Sequence, residues 1–305
     1  MIPLCLVTGF LGSGKTTLLR HIAQCEFLRL AFLVNEFSAA DVDGRLLQSD
    51  VGRLVAVPGG SIFCTCLVIE FIAALRSIHQ RFHSTETPLD GVVIEASGIA
   101  NPRVIGRMLR ETQLDRIYKV AAIVAVADPL IFPVLVQTLP NITAQVECSD
   151  WVLINKIDLA DADAIAKTET LIRRIAPQSR IVRTVHCETD LDLFSAPSER
   201  VLEGDYTPGP DPHFARVWVR AKREVNVDRL LAALRALPGL YRAKGFLRSD
   251  SKMHHVDITA NSAAVSPFRT EGSADIVIII RSADADAARA LAARIKEGEF
   301  DLAPR

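Results

Sequence analysis

The chain has 305 residues, 49% of them hydrophobic and 23% charged, which is enough for one large domain and a smaller second one. Its 35 basic and 36 acidic residues give a formal net charge of -1, which excludes a global electrostatic pull toward nucleic acid or an acidic membrane. The 6 cysteines are scattered over this length, which predicts reduced thiols in a cytoplasmic compartment, with Cys5 and Cys148 as small buried hydrophobes.

In chain order, the N-terminus enters a strand-like run over 2–8 without the basic start and cleavage site of a secretory signal. No apolar run reaches the length of a membrane span. Apolar or β-branched runs recur at 30–34, 54–57, 91–95, 120–127, 151–155 and 180–184, with helical spacing at 15–24, 68–81 and 162–175. Strands alternating with helices predict an α/β fold with a mainly parallel sheet covered on both faces. The stretch GDYTPGPDP at 204–212 reads as a linker. The expected organisation is a first domain over 1–203, a linker over 204–213 and a second domain over 214–305. That second domain reads as strand 215–222, helix 227–237, strands near 241–247, 253–259 and 275–280, and helix 283–296, a compact α+β unit.

Residues 9–16, GFLGSGKT, fill the P-loop pattern G-x-x-x-x-G-K-[ST] directly after a strand and before a helix, so the expected architecture is that of a P-loop NTPase. Gly9, Gly12 and Gly14 let the backbone curl so that its N–H groups face phosphates at the positive end of the helix, with Ser13 and Thr17 completing the binding set. Lys15 is expected on the β and γ phosphates and the Thr16 hydroxyl on Mg2+. In VVIEASGIANP, residues 92–102, Glu95 ends a strand and Gly98 follows three positions later. A carboxylate there can hold magnesium through water, and the glycine N–H can meet the γ phosphate. Lys15, Thr16, Glu95 and Gly98 are therefore the candidate catalytic set.

The run WVLINKIDL at 151–159 carries Asn155, Lys156 and Asp158 in N-K-x-D order after a strand. A carboxylate at Asp158 accepts the two hydrogens of guanine N1 and its exocyclic amine, which adenine cannot offer. Lys156 would cover the ring with its stem and Asn155 would brace the loop. The loop VHCE at 185–188 is a candidate second wall; His186 or Cys187 could touch the base or simply belong to the loop.

With GFLGSGKTT at 9–17, VNEFSAADVDG at 34–44, IEASGIANP at 94–102 and INKIDL at 154–159, the first domain resembles the CobW and nitrile hydratase activator GTPases. YRAKGFLR at 241–248 extends the resemblance weakly into the second domain. The resemblance implies GTP hydrolysis coupled to delivery of a metal (zinc, cobalt or iron) or a metallocofactor to a client metalloprotein. GTP and the client are the implied partners, a homodimer stays open, and neither nucleic acid nor membrane is expected.

Two departures bear on the metal. Where such proteins carry Cys-x-Cys-Cys after a glycine, this chain has Ser61, Ile62, Phe63 and Cys64 after Gly60, with Cys66 two residues on. In the switch run Asn35, Glu36 and Phe37 persist, Ala39 replaces the second glutamate, Asp43 remains and Asp41 is an added carboxylate. A transition metal would have to use Cys64, Cys66 and Glu36, with Asp43 or Asp41 nearby, since Phe63 supplies no soft ligand. The opposing reading makes Cys64 and Cys66 plain loop thiols. His213, His254 and His255 form a further set, but His254 and His255 are adjacent on a strand and point to opposite faces. The alternative function is a GTPase switch that remodels a partner enzyme without metal cargo. A small-molecule kinase is disfavoured by N-K-x-D and by the lack of an arginine-rich lid.

Overall fold

The computed structural model describes residues 1–24, 27–36, 53–58, 68–98, 100–195, 198, 200, 202–205, 214–221, 223–259, 263–268 and 274–302. The chain divides into two compact units, each built on its own sheet.

The N-terminal unit runs β1 (Ile2–Thr8), α1 (Lys15–Ala23), β2 (Leu30–Glu36), β3 (Leu54–Pro58), α2 (Val68–Phe82), β4 (Gly91–Glu95) and α3 (Val104–Glu111). It continues with β5 (Tyr118–Ala127), α4 (Phe132–Thr138), α5 (Pro140–Glu147), β6 (Trp151–Asn155), α6 (Ala162–Ile175) and β7 (Arg180–Thr184). The seven strands lie in the order β3-β2-β4-β1-β5-β6-β7, every pair parallel. Parallel strands need helical crossovers, which cover both faces and demand apolar side chains on both. In β1, Leu4 and Leu6 join one core with Phe71, Met108 and Tyr118, while Cys5 and Val7 join another with Leu18, Leu19 and Leu153. The hydroxyl of fully enclosed Tyr118 donates to the Leu75 carbonyl at 2.7 Å, so its polar tip is satisfied. With both faces apolar, the functional groups collect at the carboxyl ends of the strands.

Three helices here had no separate sequence prediction. α3 buries Val104, Ile105, Met108 and Leu109. α4 and α5 are 7 and 8 residues long and each carries a proline in its first turn, so they are too short to show a periodic stripe. After β7 the chain returns along the sheet. Asp150 accepts from Ser198 Oγ (3.1 Å) and Arg200 Nε (3.2 Å). A Cβ on Gly106 of α3 would stand 2.5 Å from the Leu202 carbonyl, and Arg107 pairs with Asp205 at 2.8 Å. Gly204 and Asp205, the first residues of the expected linker, thus lie against α3.

The C-terminal unit runs β8 (Phe214–Arg220), α7 (Val227–Arg235), β9 (Leu240–Ser249), β10 (Lys252–Thr259), β11 (Ala263–Phe268), β12 (Asp275–Arg281) and α8 (Ala285–Lys296). Its strands order as β11-β10-β9-β12-β8, all antiparallel. Alternate residues (Val217, Val219, Val256, Ile258, Ile276, Ile278) pack against Leu230 and Leu234 of α7 and Leu291 and Ile295 of α8. Asn226 caps α7 by accepting from Arg229 N at 3.0 Å. β11 had no sequence prediction: AAVSPF is mostly small and contains a proline, which an edge strand tolerates and a central one does not. The last helix starts at Ala285 rather than 283 because a 3-10 turn, Ser282–Asp284, precedes it.

Candidate functional site

β1 ends at Thr8, and the loop that follows turns on Gly9, Gly12 and Gly14, whose φ angles of 132°, 77° and 122° are costly for residues with a Cβ. Space excludes a side chain as well: a Cβ on Gly9 would meet the Val126 carbonyl of β5, and one on Gly14 would meet the Asn155 amide. Lys15 opens α1, is 5% exposed, and its ammonium donates to the Gly9 and Phe10 carbonyls at 2.9 and 3.1 Å. The Thr16 hydroxyl donates to Glu95 at 3.3 and 3.2 Å to its two oxygens, although 79 residues separate them. β1 and β4 are adjacent, with Val7 level with Glu95, and that register brings the pair together. A Cβ on Gly98 would stand 2.6 Å from Leu11 N, so the turn after β4 touches the P-loop backbone. Among the described residues, the hydroxyls of Thr8, Ser13 and Ser97 at this edge are buried without a hydrogen-bond partner. Such orphaned groups cost about 1–3 kcal/mol each unless something polar meets them. Together with the Thr16 hydroxyl and the Glu95 carboxylate they form a set of hard oxygen donors that fits Mg2+ and phosphate oxygens and does not fit a soft metal.

At the end of β6 one side chain ties three segments. Asn155, 2% exposed, donates through Nδ2 to the Ser13 carbonyl of the P-loop at 2.9 Å. Its Oδ1 accepts from the Thr184 hydroxyl at 3.1 Å and from Cys187 N at 2.9 Å. Lys156 adopts φ 64°, and its ammonium pairs with Asp128 at 2.8 Å. Asp128 follows β5, is buried, and also accepts from Leu130 N at 3.0 Å. Asp158 lies in the 3-10 turn Ile157–Leu159 with its side chain exposed, open to a ligand. Of the two candidates in the loop after β7, His186 is exposed and Cys187 is buried, with φ angles of 52° and 57°. Burial pushes the Cys187 thiol up to about 12, so it stays protonated and donates to the Gly14 carbonyl at 3.4 Å. It therefore supports the P-loop from below.

Thr17 lies exposed on the first turn of α1. Glu36 ends β2, level with Pro58 of β3. Asp41, Asp43, Cys64, Cys66 and His213 lie outside the described residues. His254 and His255 are both on β10, where His255 pairs with Phe246 and His254 with Leu247. Among the described residues no group of three or more His, Cys, Asp or Glu side chains could hold a metal ion, and no helix is long and apolar enough to cross a membrane. Sequence reasoning missed Asp128 and Gln145. Gln145, 1% exposed on α5, donates through Nε2 to the Gly98 and Ala100 carbonyls at 3.2 and 3.0 Å.

A glycine-built loop between strand and helix, on a parallel sheet whose carboxyl edge gathers Lys15, Thr16, Glu95 and Asn155, defines a P-loop nucleotide-binding protein. The chain belongs to the CobW/HypB/UreG family, whose nucleotide-binding domain matches residues 3–183. It is 30% identical over 245 residues to the zinc chaperone CobW of Pseudomonas aeruginosa, covering 70% of this chain and 64% of that protein. It is 26% identical to zinc-regulated GTPase metalloprotein activator 1 of Dictyostelium discoideum, over 80% of this chain and 62% of the relative. The zinc chaperone YjiA of Escherichia coli is 28% identical, over 66% and 63% of the two chains. The match thus spans less than two thirds of each of these relatives' length.

Proposed function

We propose that this protein is a GTP-hydrolysing metallochaperone or metallocofactor-insertion factor. The observation that carries the reading is the Asn155 bridge: the residue that opens the N-K-x-D run is bonded to the Ser13 carbonyl inside the P-loop, so base and phosphate recognition belong to one site. Asp158 supplies the carboxylate that a guanine N1–H and amine require, and Lys156, held by Asp128, lays its stem beside the base. The P-loop N–H groups and Lys15 take the phosphates, and Gly98 contributes its N–H to the terminal one. Thr16 and Glu95 would hold Mg2+, which supplies charge neutralisation on the β and γ oxygens when bound.

The cargo reading draws on relatives named zinc chaperones and a zinc-regulated metalloprotein activator. Cys64 and Cys66, with Glu36 and Asp43 or Asp41, are its candidate ligands, for zinc first and cobalt or iron as alternatives. Two thiolates leave a tetrahedral ion short of ligands, which suits handing it to a client metalloprotein. On this reading the first 203 residues are the GTPase domain, and residues 214–305, joined by a linker over 204–213, form a C-terminal domain of the same family type that meets the client in the cytoplasm. The test combines turnover and titration. Wild type should hydrolyse GTP with Mg2+, and Lys15→Ala should not. Zinc should bind wild type more tightly with GTP than without, and a Cys64→Ser, Cys66→Ser double variant should lose that difference. Equal zinc affinity in all four titrations with turnover intact would leave a GTPase switch without metal cargo, and retained turnover in Lys15→Ala would remove the GTPase reading itself.

A further inference from the structure

We propose that Gln145 is a positioning residue for Gly98, holding the turn after β4 so that the site distinguishes a nucleoside triphosphate from a diphosphate. The turn is closed by Ala100 N donating to the Ser97 carbonyl at 3.0 Å, and it presses on the P-loop where Gly98 meets Leu11. A primary amide has two N–H donors. Gln145 aims both at this turn, one on Gly98 O and one on Ala100 O, from a side chain that is 1% exposed. The two carbonyl partners also fix the amide orientation, because its oxygen could not face them.

α5 starts at Pro140, the Gln145 carbonyl accepts from Ser149 Oγ at 2.6 Å, and Ile142 and Val146 line the same small apolar recess as Gly9 and Phe10 of the P-loop. One helix thus borders a recess shared with the phosphate loop and clamps the turn that carries the proposed γ-phosphate donor. A diphosphate needs only the P-loop. A triphosphate also needs Gly98 in place, and the clamp keeps it there before the ligand arrives, so no ordering cost falls on binding.

The proposal rests on the GTP reading of the site. The test compares wild type, Gln145→Met (similar volume, no donors) and Gln145→Glu (same shape, at most one donor) for affinity to GDP, affinity to a non-hydrolysable GTP analogue with Mg2+, turnover, and melting temperature. Loss of the clamp should weaken the analogue by about tenfold while GDP changes less than about twofold. Turnover should fall with the analogue affinity. A merely structural role would lower the melting temperature and leave the ratio of the two affinities unchanged, and that result overturns the proposal. Wild type gives a reading that needs no variant: the Gln145 side-chain amide protons should be protected from exchange in the nucleotide-free protein, and rapid exchange there would also overturn it. Wild type that binds neither nucleotide would instead sink the GTP reading.

Discussion

The two sheets keep their carboxylates in different places. In the parallel sheet the strands are apolar on both faces, and their buried acids come at or just past the last strand residue: Glu95 ends β4 and Asp128 follows β5. In the antiparallel sheet one face packs on helices and the other carries polar residues mid-strand, so Asp257 of β10 sits in a bidentate pair with Arg242 of β9 at 2.8 and 2.7 Å. A strand-end acid faces the edge where ligands bind, and a mid-strand acid faces its neighbour across the ladder. Glu95 and Asp128 thus lie at the carboxyl ends of their strands, whereas Asp257 lies mid-strand and Asp275, 1% exposed at the amino end of β12, pairs with Arg220 at 2.8 Å.

The largest effect should come from the strand-end side of that comparison. Glu95→Gln keeps the volume and the Thr16 contact but removes the charge that the proposed magnesium site requires. Turnover of GTP should fall on the order of a hundredfold with nucleotide affinity changed only severalfold. Equal turnover would make Glu95 a plain strand terminus and break the comparison.

Asp158→Asn should act on identity rather than rate. The exposed carboxylate in the turn after β6 would lose the match to guanine proposed for it, and its new amide would suit the oxygen that xanthine carries in place of the amine. GTP affinity should drop about a hundredfold, as expected for two charge-assisted bonds at roughly 1.5 kcal/mol each, with xanthosine triphosphate gaining. Competition binding with the two nucleotides measures this, and unchanged GTP affinity would refute the base-site assignment.

What could be read from the sequence follows how close in sequence the partners lie. Gly9, Gly12, Gly14, Lys15 and Thr16 are neighbours in one loop, and Asn155, Lys156 and Asp158 in another, so their chemistry is visible as words. Asp128 meets Lys156 across 28 residues and Gln145 meets Gly98 across 47, and no local pattern announces either. Asp128 carries a partial signal, since it ends an apolar run as Glu95 does. Gln145 carries none, being one polar residue in a short proline-led helix. The strands of the second unit were legible as strand-like runs, except β11, whose small residues and proline form no such run.

The smallest effect, and the sharpest use of the comparison, belongs to Asp257. Partial burial raises its pKa, but the Arg242 guanidinium, aided by Lys244 and His255, outweighs that and holds the carboxyl below its ordinary value of 3.8. A depressed folded-state pKa means the pair stabilises the unit in full above the unfolded value, and that the contribution is lost as pH falls from there through the lower folded-state pKa. Asp257→Asn should therefore destabilise the C-terminal unit by about 1–3 kcal/mol near neutrality, the range for stranding one member of a partly buried charged pair. Hydrogen exchange at β9 and β10 amides would report it. The gap between wild type and variant should hold above about pH 5 and shrink progressively as the pH drops below about 4 toward the depressed folded-state pKa. GTP affinity and turnover should stay within experimental scatter of wild type, because nothing in a mid-strand pair reaches a ligand edge. A loss of turnover in Asp257→Asn as large as that in Glu95→Gln would mean that position along the strand does not separate the two kinds of carboxylate. A stability gap that does not shrink at all between about pH 5 and about pH 2 would mean that the pair's charge is not what holds β9 to β10.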